Sequence, residues 1–332
     1  MARVSVIVLN YNGARVIESC LRSLQRQTYR DFEIVVVDNA SSDNSLATAR
    51  QAAPEASFLA LEENIGFCRA NNIAIEAVSS ELIALLNNDT EAEPGWLQSL
   101  VEALDDDRQA GFCASRMIRI DDRVSLDSAG DIFYTHGVAA KRGEGRPATQ
   151  FATAGYVFGA CAGAALYRRA LFDAVGTLDD EFGSMDEDVD LSFRAQLAGF
   201  KCRYVPNAVV FHHVGAAFNR VPEARVRLAR RNIVTILLKN MPRPLLVRRG
   251  WLMALYVIAG DIRWSARGFA KAVFSARMDN VRSLRRVLDQ RRQIQSARKV
   301  AIHDLEASFT RSSLINFASR LRPTRRQSVQ PA

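Results

Sequence analysis

The chain of 332 residues is 48% hydrophobic, 24% charged and 8% aromatic, which allows a large core and excludes global disorder or a low-complexity fibre. Its five cysteines are widely spaced, odd in number and without a Cys-x-x-Cys, which argues against a disulfide framework or zinc ribbon and fits a reducing cytosol. The net charge of +8 invites a nucleic-acid reading, but residues 220–332 hold 25 Lys/Arg against 6 Asp/Glu, a net +19, while residues 1–219 hold 19 against 30, a net −11, so the two regions should do different jobs.

The first 120 residues alternate strand and helix signals. Met-Ala-Arg-Val-Ser-Val-Ile-Val runs straight into a strand over 4–9 with no signal-peptide pattern. That strand ends in the turn cluster Asn10-Tyr11-Asn12-Gly13, and apolar residues at helical spacing follow from Val16 to Leu24. A second strand over 32–37 closes at Asp38-Asn39, and Asp43 reads as the N-cap of a helix to about Ala53. A third strand over 57–61 precedes Asn64-Ile65-Gly66 and a helix, and a fourth over 82–86 ends at Asn87-Asn88-Asp89. A helix from about Pro94 to Leu104 completes a rhythm that predicts a doubly wound α/β domain with both sheet faces covered. Ligands of such sheets bind beyond the carboxyl ends of the strands, where three polar clusters converge here.

Residues 121–150, rich in glycine, read as loop, and Tyr156–Tyr167 reads as one buried strand. The acidic stretch 179–190 precedes a helix to Gly199, then strands over 202–205 and 208–211 that lead into His212-His213. Beyond 222 the periodicity is helical and basic, and past Thr310 the chain reads as a flexible tail. The most apolar run, Trp251–Gly260, has ten residues, half the roughly 20 a membrane span needs.

Each polar cluster has a bland reading and a chemical one. Asp38 either caps a helix or accepts hydrogen bonds from a nucleotide's base or ribose. Asn87-Asn88-Asp89 is either a turn or a site where Asp89 ligates a divalent cation that also holds phosphate oxygens. Carboxylates at a helix start complement the helix dipole, but four acids in the five residues of Asp186-Glu187-Asp188-Val189-Asp190 exceed that need, and such crowding raises carboxylate pKa values toward those of a useful base. Two of the chain's four histidines stand together at a strand end, which suits a metal or phosphate contact by His212 or His213. No P-loop, Gly-x-Gly-x-x-Gly after the first strand, or Gly-x-Ser-x-Gly occurs, which argues against a P-loop NTPase, a Rossmann dinucleotide enzyme and an α/β-hydrolase.

Over about residues 3–240 the sequence resembles the family 2 glycosyltransferases, inverting enzymes of the GT-A fold, and within them a rhamnosyltransferase-like branch. The resemblance rests on six motifs in order. They are Val4–Gly13, Val35–Asp43, Asn64-Ile-Gly-Phe-Cys-Arg-Ala-Asn-Asn72, Leu85-Leu-Asn-Asn-Asp-Thr90, Gly159–Arg169, and Asp179–Phe182 with Glu187–Arg194. Arg231-Asn232 and Lys239-Asn240 are similar to the branch's helical tail.

The resemblance implies a GT-A catalytic domain over 1–220 (nucleotide half about 1–120, acceptor half about 121–220), a basic helical extension over 221–310 and a tail over 311–332. It implies Asp188 as general base with Glu187 beside it. Asn10, Tyr11, Asn12, Asp38, Asn39, Asn64, Gly66, Asn72, Asn87 and Asn88 would hold the donor, and Asp89 with His212 would hold Mg²⁺ or Mn²⁺. The metal motif has one carboxylate where the family has two, which raises the importance of the histidine. The implied reaction moves a sugar, rhamnose in the first place, from a dTDP- or UDP-linked donor to a hydroxyl of a cell-surface glycan or lipid-linked acceptor, as in cell-wall or polysaccharide biosynthesis. A galactofuranosyl- or other hexosyltransferase is the alternative.

The basic helices, with Val281, Leu284 and Leu288 among Arg282, Arg285, Arg286, Arg291 and Arg292, suit either a solvated face or peripheral contact with the anionic inner leaflet of the cell membrane. A nucleic-acid-binding protein would use the same helices but leaves the Glu187-Asp188 cluster unexplained.

Overall fold

The computed structural model describes residues 2–214 and 222–311, so most of the expected tail, 312–332, lies outside the described residues. The chain opens with β1 (Val4–Asn10), α1 (Ile17–Gln25), β2 (Phe32–Asp38), α2 (Ser45–Ala52), β3 (Ser57–Ala60), α3 (Phe67–Ala77), β4 (Leu82–Asn87), β5 (Thr90–Ala92) and α4 (Trp96–Asp105). It continues through β6 (Ala110–Arg119), β7 (Leu126–Ser128), β8 (Asp131–Phe133), β9 (Ala139–Lys141), β10 (Gly155–Val157), β11 (Ala164–Arg168), α5 (Arg169–Val175), α6 (Glu187–Leu197) and β12 (Lys201–His212). Four helices follow among the described residues, α7 (Pro222–Asn240), α8 (Arg243–Trp264), α9 (Ala270–Ser296) and α10 (Ile302–Ala307), with a π-helical turn over Ser265–Phe269.

The alternating half matches its sequence to within two residues, but later stretches differ. The expected loop over 121–150 contains β7, β8 and β9, strands of three residues each, too short to show alternation. The strand expected over Tyr156–Tyr167 is two, β10 and β11, and β6 corresponds to no expected element. The two strands expected over 202–211 are one. β12 shifts register against β6 between Val205 and Val209, where Pro206 has no N–H to give the ladder. The helix expected from Asp43 begins at Ser45, whose N–H donates to Asp43 Oδ1 at 3.0 Å.

Among the described residues, ten strands form one mixed sheet whose main path is β10-β12-β6-β11-β4-β1-β2-β3. β4, β1, β2 and β3 run parallel, and β11 pairs antiparallel with both β4 and β6. Alternation along β1 sends Val4, Val6 and Val8 to a core with α1, α2 and α4, and Ile7 to a core with α3 and α6. The second core also takes Ile236, Leu237 and Met241 of α7, Leu245 and Met253 of α8, and Leu305 of α10. Each buried aliphatic side chain of this kind contributes about 1.5–3 kcal/mol. The basic helices therefore share a core with the sheet.

Candidate active site

Parallel pairing brings the polar strand ends together. Asn10 lies opposite Asp38 across β1 and β2, and Leu9 lies opposite Asn87 across β1 and β4. The Asn10 amide donates to Asp38 Oδ1 and to Ser45 Oγ, each at 2.8 Å, and its Oδ1 accepts from Asn88 Nδ2 at 2.8 Å. Asp38 also accepts from the Ser41 N–H (3.1 Å) and hydroxyl (2.7 Å), so this carboxylate organises its own turn. Gly13 packs against this knot. A Cβ there would stand 2.2 Å from Asn88 Nδ2 and 2.5 Å from Asn10 Oδ1.

Asn12, in the left-handed region at φ 52°, accepts from the Ser42 N–H at 2.8 Å, and Tyr11 stands exposed beside it. Asn39 Nδ2 donates to Asn64 Oδ1 at 3.0 Å, and Asn64 Oδ1 accepts from the Gly66 N–H at 3.0 Å. Asn72 stands apart from this cluster. Its amide donates to the Leu178 carbonyl (2.7 Å) and Asp180 Oδ1 (2.8 Å) and its Oδ1 accepts from the Leu178 N–H, so it staples α3 to the segment that precedes α6.

A cavity of about 330 Å³ opens beyond the end of β4. Asn87, Asp89 and His212 line one side of it, and Asp186, Glu187 and Asp188 at the start of α6 line another. Antiparallel pairing of β5 with β12 sets Thr90 opposite His212 and delivers His212 Nε2 to 3.3 Å from Asp89 Oδ1. His213 meets Asp89 through its backbone, donating to the Asp89 carbonyl at 2.9 Å. Of the two histidines, His212 turns its ring to the Asp89 carboxylate.

His212 Nδ1 lies 2.9 Å from Asp127 Oδ2, and Lys141 Nζ donates to both Asp127 oxygens at 2.8 Å. Burial opposes a charged imidazole, but the bond with Asp127 and the nearby Asp89 outweigh it and push the His212 pKa up to about 9. Burial likewise opposes charge on Asp127, yet His212 and Lys141 hold it down at about 2. Asp89 Oδ1 is buried, with His212 Nε2 at 3.3 Å as its neighbour, and this carboxylate–imidazole pair suits a hard or borderline divalent cation that displaces the imidazole proton. Among the described residues, no group of three or more His, Cys, Asp or Glu side chains is arranged to hold a metal, so Asp89 and His212 would leave most positions to substrate oxygens and water.

The acidic run divides by partner. Asp179 and Asp190 turn to α7, where buried Lys239 Nζ lies 2.7 Å and 2.9 Å from them. Asp186 sits at the α6 N-cap in the left-handed region (φ 63°), and burial, then Asp188, raises its pKa to about 7. Burial raises Asp188 too, against the Ala162 N–H (3.2 Å) and its own helix's Val189 N–H (2.8 Å), which favour the carboxylate. Glu187 and Asp131 are raised well above the ordinary range, by burial first and then by Asp188, and each keeps a buried oxygen without a partner. Where carboxyls share a site, protons collect on those least supported by donors. Glu187 and Asp131 hold them, and Asp188 ionises most readily of the three.

Asp127, Asp131 and Lys141 are the site residues that sequence reading missed. They lie on β7, β8 and β9, inside the expected loop. One faint signal existed, in that Lys141 is one of five lysines in a chain with 44 Lys/Arg.

The family model described as Glycosyl transferase family 2 matches residues 5–176. An N-acetylglucosaminyl-diphospho-decaprenol L-rhamnosyltransferase of Mycobacterium tuberculosis is 26% identical over 289 residues, covering 79% of this chain and 89% of the relative. The putative glycosyltransferase EpsH of Bacillus subtilis is 27% identical over 215 residues, covering 64% and 60%. Among solved structures, S. aureus TarS 1–349 in complex with UDP is similar at a TM-score of 0.55 and 18% identity, covering 90% of this chain and 91% of that one. A mannosyltransferase of Pyrobaculum calidifontis in complex with GDP-Man and Mn²⁺ is similar at a TM-score of 0.52 and 20% identity, covering 89% and 85%. At these identities the structural likeness establishes the fold.

Proposed function

The chain belongs to glycosyl transferase family 2 and has the GT-A fold, and we propose that it is an inverting enzyme that moves rhamnose from a dTDP- or UDP-linked donor to a hydroxyl of a cell-surface glycan or lipid-linked acceptor. The observation that carries this reading is one cavity with two chemistries on its walls, Asp188 on one side and Asp89 with His212 on the other. The rhamnosyl choice rests on the mycobacterial relative, whose name specifies L-rhamnosyl transfer and a diphospho-decaprenol acceptor.

In this reading Asp188 takes the proton of the acceptor hydroxyl as its oxygen attacks the anomeric carbon from the face opposite the diphosphate. The bond from that carbon to the diphosphate breaks, and the nucleoside diphosphate leaves with the electron pair. Glu187 and Asp131, kept protonated by burial, leave the negative charge with Asp188. Mg²⁺ or Mn²⁺ at Asp89 and His212 would neutralise charge on the leaving diphosphate. The loop of Asn10, Tyr11 and Asn12, with Asp38, Asn39, Asn64, Gly66, Asn87 and Asn88, forms the donor's seat at the strand ends. Membrane contact through the C-terminal helices, on the inner face, belongs to the same reading, since a lipid-linked acceptor lies there.

The test is nucleoside diphosphate release from a panel of nucleotide sugars, with and without EDTA. Asp188→Asn should cut transfer by about 10³-fold or more while calorimetry finds donor affinity within about threefold. Loss of donor binding in a folded Asp188→Asn protein would overturn the base assignment, and full activity in EDTA would overturn the metal.

A further inference from the structure

A second cavity, of about 380 Å³, opens between α7 and α9 beside the loop that leads into the catalytic acids. Arg227 and Arg231 of α7 and Arg282 and Arg286 of α9 line it, against the carboxylates of Asp279 and Glu181. Four cations against two anions leave a surplus of two positive charges.

The arginines are unequally neutralised. Arg227 grips Asp279 with two bonds, of 2.7 and 2.8 Å. Arg282 Nη1 is 3.8 Å from the same carboxylate, and Arg286 is shared between Glu181 Oε2 (3.4 Å) and Asp179 Oδ1 (3.5 Å), the latter already paired with Lys239. Arg231 hydrogen-bonds neutral oxygens, the Glu181 carbonyl and Asn232 Oδ1. Burial works against its charge; Asp279 and Glu181 support it, and Arg227 and Arg286 oppose it. Guanidinium groups clustered around a polar cavity match the oxygens of a phosphoryl group, which bind them in pairs.

The cavity adjoins the catalytic one. Glu181 and Phe182 line the basic cavity, and Ser184 to Val189 line the catalytic cavity. Arg225 lines the catalytic cavity and Arg227 the basic one, on different faces of the first turns of α7.

We propose that the basic cavity between α7 and α9 binds the phosphate or diphosphate of the acceptor, so that a sugar linked to that group presents its hydroxyl at Asp188. This rests on the transferase reading for the acceptor's role, but the binding of a phosphoryl group is measurable without turnover.

The probe is inorganic pyrophosphate, titrated calorimetrically into the full chain in EDTA so that a metal-dependent donor site stays silent. Arg282→Ala/Arg286→Ala should lose at least about tenfold in affinity, and Arg282→Ala alone, at an exposed position, should lose severalfold with its thermal midpoint preserved. Asp279→Asn should bind severalfold more tightly, since it removes a competing carboxylate; a merely structural role for the arginines predicts no such gain. Equal pyrophosphate affinity in wild type and the double variant overturns the proposal. So does a double variant that keeps pyrophosphate binding and loses only its co-sedimentation with phosphatidylglycerol vesicles, which would make the arginines a lipid-headgroup contact. Because calorimetry needs no catalysis, a failure here is distinct from failure of the sugar-transfer reading, which the donor panel decides.

Discussion

Asp188 and Asp190 lie two residues apart on α6 and have opposite electrostatic fates. Asp188 faces a cavity shared with four other carboxyl groups, and burial raises its pKa. Asp190 is fully buried between Lys239 and Arg194, each 2.9 Å away, and accepts from Asn240 Nδ2 at 2.8 Å. Burial alone would raise the Asp190 pKa, but Lys239 and Arg194 overcome it and hold the carboxyl at about 2. A pKa below the ordinary 3.8 means stability present above about pH 4 and lost as pH falls toward 2. The shift corresponds to about 2 kcal/mol. Asp190→Asn, which leaves buried Arg194 with no carboxylate and Lys239 with Asp179 alone, should cost about 3–5 kcal/mol at pH 7. In urea titrations, the gap between wild type and variant should narrow between pH 4 and pH 2. A constant gap would show that Asp190 does not carry this charge linkage.

At the scale of elements, α7 holds the acidic loop from behind. Asn232 is buried, and its amide donates to the Phe182 (3.0 Å) and Met185 (2.6 Å) carbonyls, fixing the turn that ends at Asp186. Removing the donor leaves two carbonyls unmet, at a cost of about 1–3 kcal/mol each. Asn232→Ala should therefore lower kcat by about tenfold or more through a misplaced Asp188, with donor KM little changed. Asn232→Gln should recover part of the loss, and a parallel rise in donor KM would contradict this positioning role. The sequence marks Asn232 only through the likeness of Arg231-Asn232 to the branch's helical tail and says nothing of this role, because its partners lie about 50 residues away. The legible elements were those with long, repetitive signals, such as the apolar strands β1, β2 and β4 with polar ends, and α6 with its surplus of acids. The candidates Asp38, Asp89, Asp188 and His212 stood out because each lies at, or within two residues of, the end of such an element. Asp127, Asp131 and Lys141 were not, because three-residue strands have no period and a glycine-rich stretch reads as loop whether or not it pairs. Pro206 misled in the other direction, since a bulge inside one strand looks like a gap between two.

For the whole molecule, the −11 and +19 regions meet in a common core, so the positive charge is partly turned inward. Arg286 reaches Asp179 and Glu181, and Arg291 donates to the Leu238 carbonyl, so the α9 face that suggested membrane contact is partly committed to the fold. α8 presents a more continuous surface. Val247, Trp251, Leu255, Ile258 and Ile262, spaced by four, four, three and four residues, are 53–78% exposed along one stripe, while Leu245 and Met253 are buried. No helix among the described residues is long and apolar enough to cross a membrane. A stripe of this kind, with Arg248, Arg263 and Arg267 near it, fits a helix lying in the interface of an anionic leaflet. Seating five half-exposed apolar side chains there contributes on the order of 5 kcal/mol. The full chain should co-sediment with phosphatidylglycerol vesicles, and brominated lipids should quench Trp251 fluorescence. Leu255→Asp/Ile258→Asp should weaken vesicle binding by about 10²-fold while salt alone weakens wild type only partly. Sedimentation showing a dimer that the double substitution dissolves, with vesicle binding unchanged, would assign the stripe to a second copy of the chain and remove the membrane from the account.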